Sequence, residues 1–150
     1  MELATQGGGG VSVLPVSAHW SVHQIDGGWR IVVPGRPLSS NDTLHEHWST
    51  RSARRRDCAG CMRLLRVQCR IWTPPAFDRA DLRIVCYTAQ RRTRDPGNYG
   101  AGAGAKALVD ALVDAGWVPD DDGEHLRTHT PEVRIGRPER TELELRGWMP

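Results

Sequence analysis

A chain of 150 residues with 39% hydrophobic and 25% charged content is long enough to bury a core of its own and is most simply one globular domain. No uninterrupted apolar run approaches a membrane span, and the opening "MELATQGGGG" lacks the basic and apolar regions of a signal peptide, so a soluble cytoplasmic protein is expected. Formal net charge is only +2, but the charges are unevenly spread, and their distribution says more about partners than their total.

Residues 1–17, with the glycine run at 7–10, read as a flexible tail, and 18–150 as the domain. "HWSVHQI" and "WRIVV" are apolar-rich segments joined by "DGG", which signals a β-hairpin. "PGRPLSSND" then breaks the strand with prolines and offers Ser or Asn caps. A long basic helix is expected from about residue 44 to 71. It carries Arg51, Arg54, Arg55, Arg56, Arg63, Arg66 and Arg70, a twenty-residue segment in which Asp57 alone opposes them. Such a helix can present a solvated face or hold a phosphodiester backbone, and charge alone leaves both readings open.

Cys58 and Cys61 form a CxxC, but Cys69 and Cys86 supply no second ligand pair at zinc spacing. Cys58, Cys61, Met62, Leu65 and Cys69 recur instead at helical spacing, as a buried stripe does. Core thiols are therefore favoured over zinc, and free thiols fit a reducing compartment. "TPPAFDRA" ends the helix and leads to "DLRIVCYTA", where Leu82, Ile84 and Cys86 alternate with Arg83, Val85 and Tyr87 as strand residues do. Arg91, Arg92 and Arg94 form a second basic cluster beyond it.

A second helix is expected from about 100 to 115, ended by Gly116 and Pro119. "GNYGAGAGAK" has neither the Gly-Lys-Ser/Thr of a nucleotide-binding P-loop nor the dinucleotide fingerprint, so nucleotide binding carries little weight. "HLRTHT", "EVRIG" and "TELELRGW" read as short closing strands, the last with Leu143 and Leu145 on one side and Glu142, Glu144 and Arg146 on the other. The order predicts an α/β (α+β) fold, a small mixed sheet with two main helices packed on it.

The end of the second helix is unusual. Asp114, Asp120, Asp121 and Asp122 crowd a C-terminus where the macrodipole prefers cations. A solvated loop or a bound divalent cation would each account for them. Lys106, the only lysine in the chain, and Asp110 are four residues apart and share a helix face, while Asp95 lies just past the preceding strand. Carboxylates from three segments could thus converge beside one lysine. Ion pairing on the surface and ordinary turn chemistry are the plainer alternatives.

"RDPGNY…K…DALVDAGWVPDDD" resembles the motif region of the RusA-type Holliday junction resolvases, in which Asp-x-Asp-Asn is followed by a lysine, Asp-Ala-Leu, a glycine and a closing Asp-Asp. "PLSSN" is similar to the Pro-Pro-Ser-x-Asn segment after the first strand of that family. The resemblance spans about residues 29–145. It implies a RusA-like nuclease domain and a magnesium-dependent endodeoxyribonuclease acting on Holliday junctions or other branched DNA, with manganese as a possible substitute ion.

By position, the resemblance makes Asp95, Lys106 and Asp121 catalytic, and Asp95, Asp110, Asp120 and Asp121 the metal ligands. DNA would be held by Asn41, Arg51, Arg54, Arg55, Arg56, Arg91, Arg92, Arg94 and Asn98. A four-way junction has two symmetric strands, so a homodimer is expected. Gly97 stands where the family has its second acidic ligand, and the Asn98 to Lys106 spacing is longer than in the family pattern. A non-catalytic DNA-binding module on the same fold is the alternative.

Overall fold

The computed structural model describes residues 20–35, 48–89 and 103–148, with the backbone alone described at 48, 51, 103 and 104. Strands β1 (Ser21–Ile25) and β2 (Gly28–Pro34) form the antiparallel hairpin that the "DGG" signal predicts. Gly27 turns the chain at φ 80°, a left-handed conformation that glycine adopts without steric cost. A side chain on the next residue, Gly28, would run into the carbonyl of Leu145, so the close approach of β2 to the last strand needs glycine there.

Helix α1 (Trp48–Gln68) comes next, then β3 (Ala80–Thr88), helix α2 (Ala103–Asp114), and strands β4 (Leu126–Thr128), β5 (Glu132–Ile135) and β6 (Arg140–Gly147). The basic helix ends three residues before the expected 71. Arg70 takes φ 64°, its N–H bonds to the Val67 carbonyl and that of Ile71 to the Arg66 carbonyl, a left-handed helix stop made without glycine and therefore invisible to a search for one.

The sheet runs β1-β2-β6-β3, all antiparallel neighbours, and both β4 and β5 pair parallel with the far edge of β3. β4 lies beside Ala80, Asp81 and Leu82, and β5 beside Val85 through Thr88. The two form one interrupted edge, broken at His129, Thr130 and Pro131. Pro131 has no N–H to donate to the ladder, which accounts for a break at this point.

Alternation sorts the sheet into two faces. Ile31, Leu143 and Ile84 lie in one cross-strand row, with Leu145 beside Leu82 in another, and all five are buried. Against them pack Cys61, Met62 and Leu65 of α1 and Leu108, Ala111 and Leu112 of α2. The helices thus cover one face of a six-stranded mixed sheet, as the element order predicts. The opposite face carries a cross-strand row of Arg30, Glu144 and Arg83, in which Glu144 is 3.0 Å from Arg30 and from Arg146.

The cysteine stripe behaves as core. Cys61 and Cys86 are fully buried and all four cysteines are free. Burial pushes the Cys58 and Cys69 thiols up to about 11 and Cys61 up to about 12. They stay protonated at neutral pH and pack as small apolar side chains, whereas zinc takes the thiolate. No helix among the described residues is long and apolar enough to cross a membrane.

Candidate metal centre and nucleic-acid interface

The crowded acidic end of α2 finds its cations on α1. Arg55 grips Asp114 with two hydrogen bonds, Nε to Oδ2 at 2.8 Å and Nη2 to Oδ1 at 3.1 Å, and lies 3.8 Å from Asp110. Arg63 donates to the Asp114 carbonyl at 3.3 Å, and Arg66 to the Ala115 carbonyl at 2.8 Å. Three arginines of one helix therefore satisfy the negative end of the next. Neither a solvated loop nor a divalent ion is required at Asp114.

Arg66 goes furthest in this role. It is 7% exposed and also donates to the Ile71 carbonyl at 2.6 Å, which ties it to the end of its own helix. In the sequence it belongs to the run of exposed-looking arginines; in the fold it is a buried clamp. Arg56 lies exposed on the same helix. The side chain of Arg51 is outside the described set.

Beyond α2, the chain brings the acidic triplet back along the helix. Gly116 at φ 80° closes α2, its N–H bonding to Val113 and that of Trp117 to Leu112, the paired bonds of a Schellman stop. Trp117 and Val118 then plunge into the core, where the indole N–H of Trp117 donates to the Met62 carbonyl at 2.8 Å. Burying this apolar pair anchors the chain next to α1 and sends 120–122 out toward solvent. Asp122 organises the turn into β4: its Oδ1 accepts from the backbone N–H groups of Glu124 and His125 and lies 2.7 Å from the His125 ring. The His125 contact holds the Asp122 carboxyl below the usual carboxylate range.

Asp121 meets Lys106. The ammonium lies 3.0 Å from Asp121 Oδ2 and 3.1 Å from Asp110 Oδ1, so the helix face predicted from the four-residue spacing is real and the triplet joins it from 15 residues away. Hydrogen bonds to Asp121 and then Asp110 raise the lysine pKa, and the same bond to Lys106 lowers that of Asp121. Asp120 turns aside, its Oδ1 accepting from the Asp121 N–H at 2.7 Å.

Oxygen donors of this kind suit magnesium. Among the described residues, however, no group of three or more His, Cys, Asp or Glu side chains is gathered as a metal would need. Asp110 and Asp121 make two, and a third ligand has to come from elsewhere. Asp95, the ligand that the sequence motif suggests, lies outside the described residues, as do Asn41, Arg91, Arg92, Arg94, Gly97 and Asn98.

Lys106 and Asp121 sit at the mouth of a cleft of about 300 Å³. Its other walls are Ile84, Ala105, Val109 and the segment Thr128, His129, Thr130 and Pro131. Sequence pattern predicts a strand throughout "HLRTHT"; only Leu126–Thr128 is one, and His129 and Thr130 after it line the cleft. Pro131 was the available signal, since it cannot continue a paired strand.

No family model matches the chain, and no curated protein matches it. Among solved structures it is similar to the periplasmic domain of Helicobacter pylori MotB, at 14% identity and a TM-score of 0.39, with 86% of this chain and 82% of that one covered. A likeness at that level carries no argument about function.

Proposed function

We propose that this protein is a metal-dependent, structure-selective endodeoxyribonuclease of the RusA type, cutting phosphodiester bonds in Holliday junctions or other branched DNA as a cytoplasmic homodimer. The observation that carries the reading is the meeting of Lys106 with Asp110 and Asp121 at the mouth of a cleft. These are the residues that the motif resemblance selects, and they come from two separate elements.

Asp110 and Asp121, with Asp95, would hold magnesium or manganese, which when bound supplies a Lewis acid for the phosphoryl oxygen and an activated water; Asp120 would join them with the carboxylate oxygen that does not accept from the Asp121 N–H. Lys106 bridges Asp110 and Asp121 and offsets their mutual repulsion. Once substrate competes for its donors, the ammonium stabilises charge on the leaving oxygen. Backbone phosphates would be held by Arg51, Arg54 and Arg56 of α1 and, as the motif resemblance implies, by Asn41, Arg91, Arg92, Arg94 and Asn98, without base readout. Arg55 is engaged by Asp114 and serves the DNA only by giving up that pair.

One observation favours a second reading. Lys106 already pairs with both carboxylates at close range, which would suit a DNA-binding module that has no metal. A labelled four-way junction incubated with the protein separates the two. Symmetric cleavage with magnesium or manganese, abolished by chelator, is the expected result. Binding without cleavage under every metal condition would favour the module, and absence of junction binding would overturn both.

A further inference from the structure

The cleft beside Lys106 has two chemically distinct sides. One is the charged pair Lys106 and Asp121. The other is neutral: an apolar floor of Ile84, Ala105, Val109 and Pro131, rimmed by the hydroxyls of Thr128 and Thr130 and the His129 ring. A bound metal and a scissile phosphate use only the first. The second side exists because the sheet edge is interrupted at 129–131, and the proposed hydrolysis does not use it.

A phosphate group does not fit the neutral side. Its floor side chains carry no donor or cation, the ammonium at its border is engaged by two carboxylates, and Asp121 repels an anion. A wholly aliphatic ligand would leave the threonine hydroxyls and the imidazole unmatched at the rim. A planar heteroaromatic ring satisfies both, with its face on the apolar floor and its polar edge on hydroxyls that donate and accept alike. His129, 61% exposed and held only loosely by Asp81 at 3.9 Å, offers a second stacking surface. A volume of about 300 Å³ is at the lower end for small-molecule sites, which suits one base rather than a stacked pair.

We propose that this cleft receives one unstacked nucleobase, the base of the nucleoside adjoining the phosphate at Lys106. The choice of a nucleobase rests on the nuclease reading, since a branch point is where bases lose their stacking partners and are cheapest to extrude. The pocket therefore makes the local unpairing of a branch part of what is recognised. Contacts to Thr128, Thr130 and His129 tolerate any base, because every base presents a π-face.

The test uses the full chain labelled with nitrogen-15 and titrated with deoxyadenosine 5′-monophosphate, with deoxyribose 5-phosphate as the baseless control. The nucleotide is expected to shift the backbone amides of Thr128, His129 and Thr130 saturably, and the control to leave them unmoved. Thr130→Trp, which fills the cleft from an exposed position, should weaken nucleotide binding by at least about tenfold, and the spectrum itself reports whether that variant folds. His129→Ala should weaken it less while leaving the floor intact.

Equal shifts from nucleotide and control, or none from either, would overturn the base pocket whether or not the protein cuts junctions. Base-dependent shifts in a protein that neither binds nor cuts a junction would instead overturn the nuclease reading and leave the pocket standing. With both intact, Thr130→Trp should slow junction cleavage by at least about tenfold while junction affinity stays within about threefold.

Discussion

Helix α2 carries two ion-pair clusters that share Asp110 and otherwise differ in the cations that build them. Toward α1, the guanidinium of Arg55 forks onto Asp114 and approaches Asp110, while Arg63 and Arg66 take the last carbonyls. Toward the cleft, the ammonium of Lys106 bridges Asp110 and Asp121. A planar fork fixes geometry, whereas an ammonium is a compact charge whose three donors exchange partners readily. With arginine at every other cationic Lys/Arg position in the chain, a lone lysine at the cleft puts the exchangeable cation where ligands would have to be exchanged.

The sharpest way to break this contrast is Arg66→Met. Losing a buried guanidinium that serves the ends of two helices should cost about 2–4 kcal/mol of stability, read from urea denaturation. Cleavage per folded molecule should be unchanged. Lys106→Met should do the reverse, with a stability change within about 1 kcal/mol and loss of cleavage. If both variants lose stability alike, the cleft cluster is structural and the distinction fails.

Asp121→Asn keeps the shape but removes a charge. Junction cleavage should fall by about 100-fold or more, equivalent to about 2.7 kcal/mol in the barrier, while junction binding holds or tightens as repulsion of the phosphates is relieved. Retention of full activity would remove Asp121 from the chemistry.

A smaller effect sharpens the division within α1. Arg56→Gln should reduce the log-log salt dependence of junction binding by up to about 0.9, the value for one phosphate contact. Arg55→Gln should instead cost about 0.5–1 kcal/mol of stability and leave the salt slope nearly unaltered. Identical slopes for Arg56→Gln and the parent would take that exposed side chain off the DNA path.

The smallest expected effect is on pH. A carboxylate whose pKa is lowered on folding, as for Asp121, stabilises above its ordinary pKa and loses that contribution as pH falls through the folded value. A lysine raised on folding, as for Lys106, stabilises below its ordinary pKa and loses the contribution as pH rises through the folded value. The pair is therefore intact between roughly pH 4 and 10. The difference in stability between the parent and Lys106→Met should be flat across that window, and a slope near neutrality would show that another group titrates with the pair.

Much of the frame was legible because it is local. The "DGG" turn, the alternation of Leu82, Ile84 and Cys86, the stripe of Cys61, Met62 and Leu65, and the shared face of Lys106 and Asp110 all arise from periods of 2 and 3.6 and from turn chemistry. Gly116 likewise announced the end of α2. The stop at Arg70 gave no such sign, since its residue type does not advertise a left-handed conformation.

Residue pattern alone dictated which faces are apolar, where most elements turn, and that acidic side chains gather past α2. The packing of the elements decided what those side chains meet: Asp114 pairs with an arginine 59 residues earlier, Arg66 is buried 49 residues from the carbonyl it caps, and Asp121 returns to Lys106 only because Trp117 and Val118 anchor the chain in the core. Periodicity assigns a side chain to a face. The partner across that face depends on how two elements pack, and a helical or strand period carries no information about a neighbour from a distant part of the chain.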